Sequence, residues 1–597
     1  MDNFFELVEH MGRRGYSLFS QFFAYMEEVL LPLEINLAWF TLIIRMAFPL
    51  LAIIIFLRCV LPLLQDARYS TVWGYLTLND GTSLPLKHWE NSIGRGNTSD
   101  LVLNYPYISR NHAVLFFRRG KVFISDLGSK NGVAINRKKV EKTAPVNSGD
   151  VISFGGVEAE ANINEQPAAK AASKGSHKVP SKLASRGRRI HSGTTFFLII
   201  LFQILGSFQV WLSAGFALEP GILQAFMGFI LAEWVFIAFL RWHSRRYIEL
   251  ELLGLFLSGL SLLVVASVTP EALFIQLISI IIGMAVYVGL KLSIQNLERA
   301  NVLKKVFMGI ALVLLVLTLI WGETRHGAQR WLDLGFISFQ PSELVKIALV
   351  MAGAATLDRL LTTRNMTAFI GFAGICIVSF VLMRDFGTVV VFFGAFIVIA
   401  FMRSGDWRSI ALVGAGGLLG VITVASFMPY ITARFAVWGK VWEHAHSLGY
   451  QQTQTMIATA SGGLLGVGGG NGHLGRIAAA DTDLVFGILS EEWGVLVAVC
   501  SILILAFCGV YALFLIKNAR SSFYAIASCG AAAIILIQTT LNVLGSLDLL
   551  PLTGITIPFI SRGGTSMIAS WGLLALIKSA DHRSRPFAKQ IPKQRGS

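Results

Sequence analysis

Runs of about twenty apolar residues recur along most of this chain, each long enough for a helix to cross the roughly 30 Å hydrocarbon core of a bilayer. Twelve such runs lie C-terminal to residue 193, at about 194–216, 221–240, 249–268, 272–290, 304–321, 342–360, 369–383, 386–402, 409–428, 484–516, 521–546 and 564–579. One more candidate spans 37–64, where Arg45 and Arg58 would snorkel or face other helices. Composition agrees, because 54% of the 597 residues are hydrophobic and only 14% are charged, against roughly 25% charged in ordinary soluble domains. Too few polar residues remain to cover several soluble globules. A wholly soluble enzyme, a disordered chain and a disulfide scaffold are excluded. The expected fold class is a multi-spanning α-helical membrane protein with one small all-β domain.

A formal net charge of +15 would suit nucleic acid if the cations formed one patch. They do not. Lys170, Lys174, Lys178, Lys182, Arg186, Arg188 and Arg189 lie in a flexible basic linker at 159–193, and Arg241, Lys304, Lys305 and Lys578 flank apolar runs. This is the positive-inside distribution, so no nucleic-acid partner is expected. Placing the basic loops at 241–246, 291–305, 359–364, 403–408 and 517–520 in the cytoplasm also puts the β domain, the linker and the tail 581–597 there. The acidic segment 1–36 and the two long segments 322–341 and 429–483 then face outside, and no cleavable signal peptide is expected. All five cysteines (Cys59, Cys376, Cys500, Cys508 and Cys529) lie in apolar runs without CxxC spacing. They read as buried thiols rather than disulfides or metal ligands. No cofactor is evident, and a divalent cation is open without being indicated.

Residues 67–158 have a different character, with short alternating runs and Gly/Asn/Asp turns that predict a small all-β domain. Its signatures are Ile93-Gly94-Arg95, Ser109-Arg110-Asn111-His112, Asp126 to Gly132, and Ser148-Gly149-Asp150. In that order and spacing they resemble the forkhead-associated (FHA) domain. A phosphate group needs a guanidinium and several neutral donors converging from loops, and Arg95, Ser109, Arg110 and Asn131 are such residues. The resemblance implies that they bind a phosphothreonine protein. His112 reads as structural, and Lys130 stands where Thr or Ser often precedes this Asn.

Polar clusters at membrane depth are costly and therefore candidates for function. One runs from Arg330 to the Gln340-Pro341-Ser342-Glu343-Leu-Val-Lys346 segment, where Glu343 and Lys346 share a helical face as a salt bridge or as substrate contacts. A second holds Gln451, a Gly-rich stretch at 466–472, Asp481 and Asp483. A third holds Gln538, Asn542 and the Pro/Gly/Ser loop 550–566 with Ser561; at membrane depth such a loop must be packed in protein or line a cavity.

Together the motifs QPSELVK and GITIPFISRGG resemble the SEDS family (shape, elongation, division and sporulation) over about 247–580. The resemblance implies a ten-helix domain, preceded here by about three extra transmembrane helices at 37–64 and 194–240. It also implies a peptidoglycan glycosyltransferase that polymerises lipid II on the outer face of the cytoplasmic membrane, with a class B penicillin-binding protein as partner. Asp483, the match to the family's external-loop aspartate, is the expected general base, at the start of a helix. Arg330, Glu343, Lys346, Asp385, Arg434, Gln451, Asp481 and Ser561 are the substrate-binding candidates. Asp481 reads as an ordinary solvated residue, and Asp385 as a partner of Arg384. Departures from the family's usual pattern are Ala478-Ala479-Ala480-Asp481 before Thr482-Asp483, Arg384 before Asp385, and Arg562. A lipid II flippase and an inactive membrane scaffold that recruits phosphorylated cell-division proteins are the competing classes.

Overall fold

The computed structural model describes residues 37–66, 72–163 and 192–581, apart from breaks at 89, 97–98, 119–120, 215–220, 245–246, 296, 326–327, 334–337, 356–362, 427, 517–518 and 520. The segment 1–36, the linker from 164 to 191 and the tail beyond 581 lie outside the described residues.

Without water to hydrogen-bond, a chain crossing lipid satisfies its backbone internally as helix, and the apolar runs do so here. After α1 (Leu37–Asp66) and a β domain come α2 (Ser192–Ser213), α3 (Gly221–Ser244), α4 (Glu249–Val268), α5 (Leu273–Ile294) and α6 (Leu297–Trp321). Then follow α7 (Pro341–Gly353), α8 (Thr363–Leu382), α9 (Phe386–Ser404), α10 (Trp407–Ser426), α11 (Pro429–Val437) and α12 (Tyr450–Gly462). The chain continues with α13 (Ala480–Asp483), α14 (Val485–Trp493), α15 (Val495–Ile516), α16 (Ser522–Ser546) and α17 (Gly564–Ser579). Among the described residues, nine helices are long and apolar enough to cross a bilayer: α1 to α6, α9, α15 and α16. The other expected spans are shorter, with 13 residues in α7 and 16 in α17. The apolar stretches of α8 and α10 cover only 366–382 and 410–420.

The run 484–516, expected as one span, is broken at Gly494 into α14 and α15. This glycine has φ +87°, and a Cβ there would lie 2.3 Å from the Leu464 carbonyl oxygen. The close approach of the 464–466 backbone therefore requires glycine and ends α14.

Helix α4 is the centre of the bundle, with 89% of its membrane window buried against 17% for α6. The three extra helices pack against this centre rather than forming a separate unit. Phe48 of α1 stacks on Trp493 at 4.7 Å and meets Phe202 of α2 at 4.1 Å, and Phe202 meets Phe256 of α4 at 5.0 Å. At one end of the bundle a buried ion cluster ties α4, α5, α15 and α17. Lys578 lies 3.3 Å from Glu251 and 3.1 Å from Asp581, and Lys291 lies 3.1 Å from Glu251. Tyr287 donates to Glu251, Tyr511 donates to Asp581, and Lys578 also donates to the Tyr247 carbonyl.

The β domain is a sandwich. One sheet has strand order β2-β1-β11-β10-β7-β8 and the other β4-β3-β5-β6-β9. The strands are β1 (Gly74–Leu78), β2 (Ser83–Leu86), β3 (Glu90–Gly94), β4 (Leu101–Val102), β5 (Ala113–Arg118), β6 (Lys121–Asp126), β7 (Val133–Ile135), β8 (Lys138–Lys139), β9 (Thr143–Val146), β10 (Val151–Phe154) and β11 (Val157–Ile163). Leu76, Ile93, Leu115, Ile124, Ile152 and Phe154 fill its core. The domain runs past the expected boundary at 158, because β11 pairs with the whole of β1, from Ala159 opposite Leu78 to Ile163 opposite Gly74. The long segment after α6 forms a small sheet of β12 (Glu323–Arg325), β13 (Ala328–Asp333) and β14 (Ser338–Phe339).

Removing one partner of a buried ion cluster leaves charge uncompensated, at a cost of about 3–5 kcal/mol. Lys578→Met, which strands Asp581 and half of Glu251, should therefore lower the thermal midpoint of the detergent-solubilised protein, whereas Lys142→Met in the sandwich should leave the membrane-domain transition in place.

Candidate functional site

Asp483 closes the single turn α13, which starts from Ala479 in the left-handed region (φ 61°). The Asp483 amide donates to the Ala479 carbonyl at 2.9 Å. It thus ends one turn and precedes α14, rather than opening a long helix as expected. The last three residues of the turn are held from outside. The Asp481 carboxylate accepts from the Thr269 hydroxyl at 2.7 Å, beyond the end of α4, and pairs with Arg562 Nε at 2.8 Å. The Asp481 carbonyl accepts from the Arg562 amide at 2.8 Å. Ser561 donates to the Thr482 carbonyl at 2.7 Å, and Asn542 of α16 donates to the Asp483 carbonyl at 3.0 Å. Asp481 is 3% exposed, so the expectation of a solvated aspartate is corrected: a carboxylate at this depth must be paired, and Arg562 pairs it.

The half-buried Asp483 carboxylate lies against the loop 547–563. Its Oδ2 would be 3.2 Å from a Cβ placed on Gly554, which has φ +66°. That loop is packed in protein, as its composition at membrane depth predicts. Asn542 Nδ2 donates a second bond to the Ile555 carbonyl, the Ile557 amide donates to Ser561 Oγ at 2.9 Å, and the Phe559 amide donates to Ser570 Oγ at 3.2 Å.

One cationic candidate borders the same loop, and a second is linked to it through α9. Arg434 of α11 donates to the Leu552 carbonyl at 2.8 Å. Arg330 of β13 lies 3.8 Å from Asp385. Asp385 caps α9 by accepting from the Thr388 amide and, at 2.8 Å, from its hydroxyl. The ion pair recorded for Asp385 is therefore with Arg330, where the sequence suggested Arg384; Arg384 has φ 60°, which turns the chain into α9. One residue into that helix, Gly387 lies under Thr553 and Ile555, which joins the Arg330–Asp385 pair to the loop beside Asp483. Gln451 donates to the Ala478 carbonyl at 3.1 Å, steadying the approach to α13.

Glu343 and Lys346 behave differently. They pair with each other at 2.7 Å inside α7, at 5% and 1% exposure, so the salt bridge is what the structure contains. The residues that sequence reading undervalued are Thr269, Gly554 and Arg562. Asn542 belongs with them: its side chain is 2% exposed and bridges two carbonyls. Among the described residues, Asn542 Oδ1, Gln538 Nε2 one turn earlier and Thr553 Oγ1 are buried without a hydrogen-bond partner, a condition that costs about 1–3 kcal/mol each. Their presence in a span and its loop was the available signal.

In the sandwich, three loops meet at one end of β3. The Arg95 amide donates to the Ser109 carbonyl at 3.0 Å, and the Lys130 amide donates to Ser109 Oγ at 3.0 Å. Asn131 Nδ2 donates to the Tyr107 carbonyl at 2.7 Å. The Arg95, Arg110 and Asn131 side chains are exposed there. His112 is fully buried, with its two ring nitrogens bonded to the Ser109 amide and the Gly132 carbonyl, the structural role its sequence context suggested.

The family profile described as "Cell cycle protein", FtsW/RodA/SpoVE, matches residues 246–586. The chain belongs to this FtsW/RodA/SpoVE family. The FHA domain profile matches residues 91–155. A probable peptidoglycan glycosyltransferase FtsW of Aliivibrio salmonicida is 32% identical over 382 residues, covering 61% of this chain and 95% of that protein. Among solved structures, a chain of a peptidoglycan synthase complex is 25% identical with a TM-score of 0.43, covering 55% of this chain and 96% of its own. An FHA domain from a study of phosphothreonine-dependent interactions is 28% identical with a TM-score of 0.15, covering 16% of this chain and 99% of its own.

For this FtsW/RodA/SpoVE member, Gly554→Ala forces a side chain into the left-handed region at about 1–2 kcal/mol and presses it on Asp483. Its glycosyltransferase rate should fall by more than that stability loss explains. Asn542→Ala releases the Asp483 carbonyl, and small misplacements of a catalytic group cost about 100-fold. The kcat of Asn542→Ala should drop by that order with KM little changed, as read by steady-state kinetics.

Proposed function

We propose that this peptidoglycan glycosyltransferase polymerises lipid II into glycan strands on the outer face of the cytoplasmic membrane, with Asp483 as general base. The observation that carries the reading is the Asp483 turn, in which three consecutive residues are gripped by the end of α4, by α16 and by the loop 547–563. A general base must be held within hydrogen-bond reach of its proton, and a turn fixed from three sides supports that role.

In the proposed step, Asp483 takes the proton of the acceptor sugar's 4-hydroxyl as that oxygen attacks the anomeric carbon of the donor. The bond to undecaprenyl pyrophosphate breaks, and the pyrophosphate carries away the electron pair. Arg434, bonded to the loop beside Asp483, and Arg330, paired with Asp385 at the start of the neighbouring α9, offset the charge that develops on the leaving group. Lys346 is less suited, because Glu343 already neutralises it. Asp481 and Ser561 position the turn rather than touch the sugar.

Two further features support an enzyme working from one face over a flippase. The ion cluster of Glu251, Lys291, Lys578 and Asp581 closes the opposite end of the helices on itself. The basic loops flank that same end, which the positive-inside rule assigns to the cytoplasm. The sandwich then faces the cytoplasm, where Arg95, Ser109, Arg110 and Asn131 would bind a phosphothreonine protein. A class B penicillin-binding protein is the proposed partner for cross-linking the strands, in keeping with the synthase complex to which the chain is similar.

The decisive measurement is polymerisation of purified lipid II by the protein with its partner. Asp483→Ala should lose about 100-fold to 10,000-fold in rate, the range for a removed general base, with the thermal midpoint unchanged; wild-type rates from this variant would overturn the mechanism. In the sandwich, Arg95→Ala should abolish the preference for phosphothreonine peptides over their unphosphorylated forms in a fluorescence titration.

A further inference from the structure

The sandwich touches the membrane domain at the end of β3 away from its phosphate loops. His88 Nδ1 lies 2.8 Å from the Ala519 carbonyl, between α15 and α16. Ser522, the first residue of α16, donates to Glu90 Oε2 at 2.9 Å and to the Ala355 carbonyl, just past α7, at 3.0 Å. Ser521 caps α16 by accepting from the Phe523 amide at 3.2 Å. Glu90 is 7% exposed. A carboxylate is buried at such a seam only when it is compensated, and here it faces the N-terminus of a 25-residue helix, where the helix dipole favours negative charge. His88 is flanked in turn by Asp100, 3.8 Å from Nε2.

The connection from α1 limits how far the sandwich can drift. Seven residues separate Asp66 from Gly74, a reach of about 25 Å at full extension. Arg95 lies five residues along from Glu90, about 17 Å at strand spacing, so the contact leaves the phosphate loops uncovered. One of the two helices met at the seam, α16, also reaches the candidate site. Helix α16 carries Asn542 about 30 Å from Ser522, and α7 carries Glu343 and Lys346 at its other end.

We propose that His88 and Glu90, at the start of β3, form a docking surface for Ala519 and the Ser522 start of α16, through which seating of the FHA domain controls the glycosyltransferase while its phosphothreonine loops stay open to a partner. A phosphoprotein bound at Arg95 is then held on a domain that bears directly on the helix gripping Asp483. Control of rate rests on the function proposed above; the docking itself does not.

The test uses the full chain in native membranes. With His88→Cys and Ala519→Cys together, a short thiol cross-linker should join the two positions in most molecules. Lys130→Cys with Ala519→Cys, which places the first thiol at the phosphate-loop end, should give at least tenfold less. Equal yields from the two pairs would overturn the docking. Glu90→Lys on the sandwich side and Ser522→Ala on the membrane side should each lower the His88/Ala519 yield and shift the lipid II polymerisation rate in one direction by threefold or more. Loss of cross-linking with an unchanged rate would overturn the control. If the wild-type protein makes no glycan, the proposed function fails and the cross-linking comparison still decides the docking.

Discussion

Backbone groups inside a bilayer have no water to bond, and the rest of this structure depends on how the chain meets that constraint. Most of it does so as helix. The loop 547–563 cannot, since Pro551, Gly554 and Pro558 break any helix there. Its amides and carbonyls instead find side chains: Asn542 for Ile555, Ser561 for Ile557, Ser570 for Phe559 and Arg434 for Leu552. Satisfying this loop builds a rigid wall, and the wall is what Asp483 rests against. The same requirement that makes irregular backbone expensive in lipid thus provides a fixed platform for the Asp483 carboxylate.

Charge is treated in the same way. Glu343 with Lys346, Asp481 with Arg562, and the Glu251 cluster all bury opposite charges together. Around the loop 547–563, Asp483 lies against Gly554, Arg434 bonds the Leu552 carbonyl, and Arg330 pairs with Asp385 at the start of α9. Of these, Asp483 sits where three elements converge.

Much of this was legible in the sequence because it depends on local pattern. Apolar length gave the spans, period-two alternation gave the sandwich, and the order of Gly, Arg, Ser and Asn marked the phosphate loops. What escaped depends on pairings between distant segments. Asp481 read as solvated because its partners, Thr269 and Arg562, are 212 and 81 positions away. Asp385 was matched to its neighbour Arg384, whereas Arg330 reaches it across the β13 sheet. The break at Gly494 was hidden because apolar runs at 484–489 and 495–499 flank the short polar patch before it, and only the approach of the 464–466 backbone ends the helix. The strand that carries the sandwich on to Ile163 was cut short because its alternation fades into the linker's composition.

The five cysteines are all free and buried within the helices. An oxidant arriving from either side of the membrane therefore finds no cysteine thiol at the water surface. In the function proposed above, the protein works between a reducing and an oxidising medium, and this distribution keeps its thiols out of contact with both.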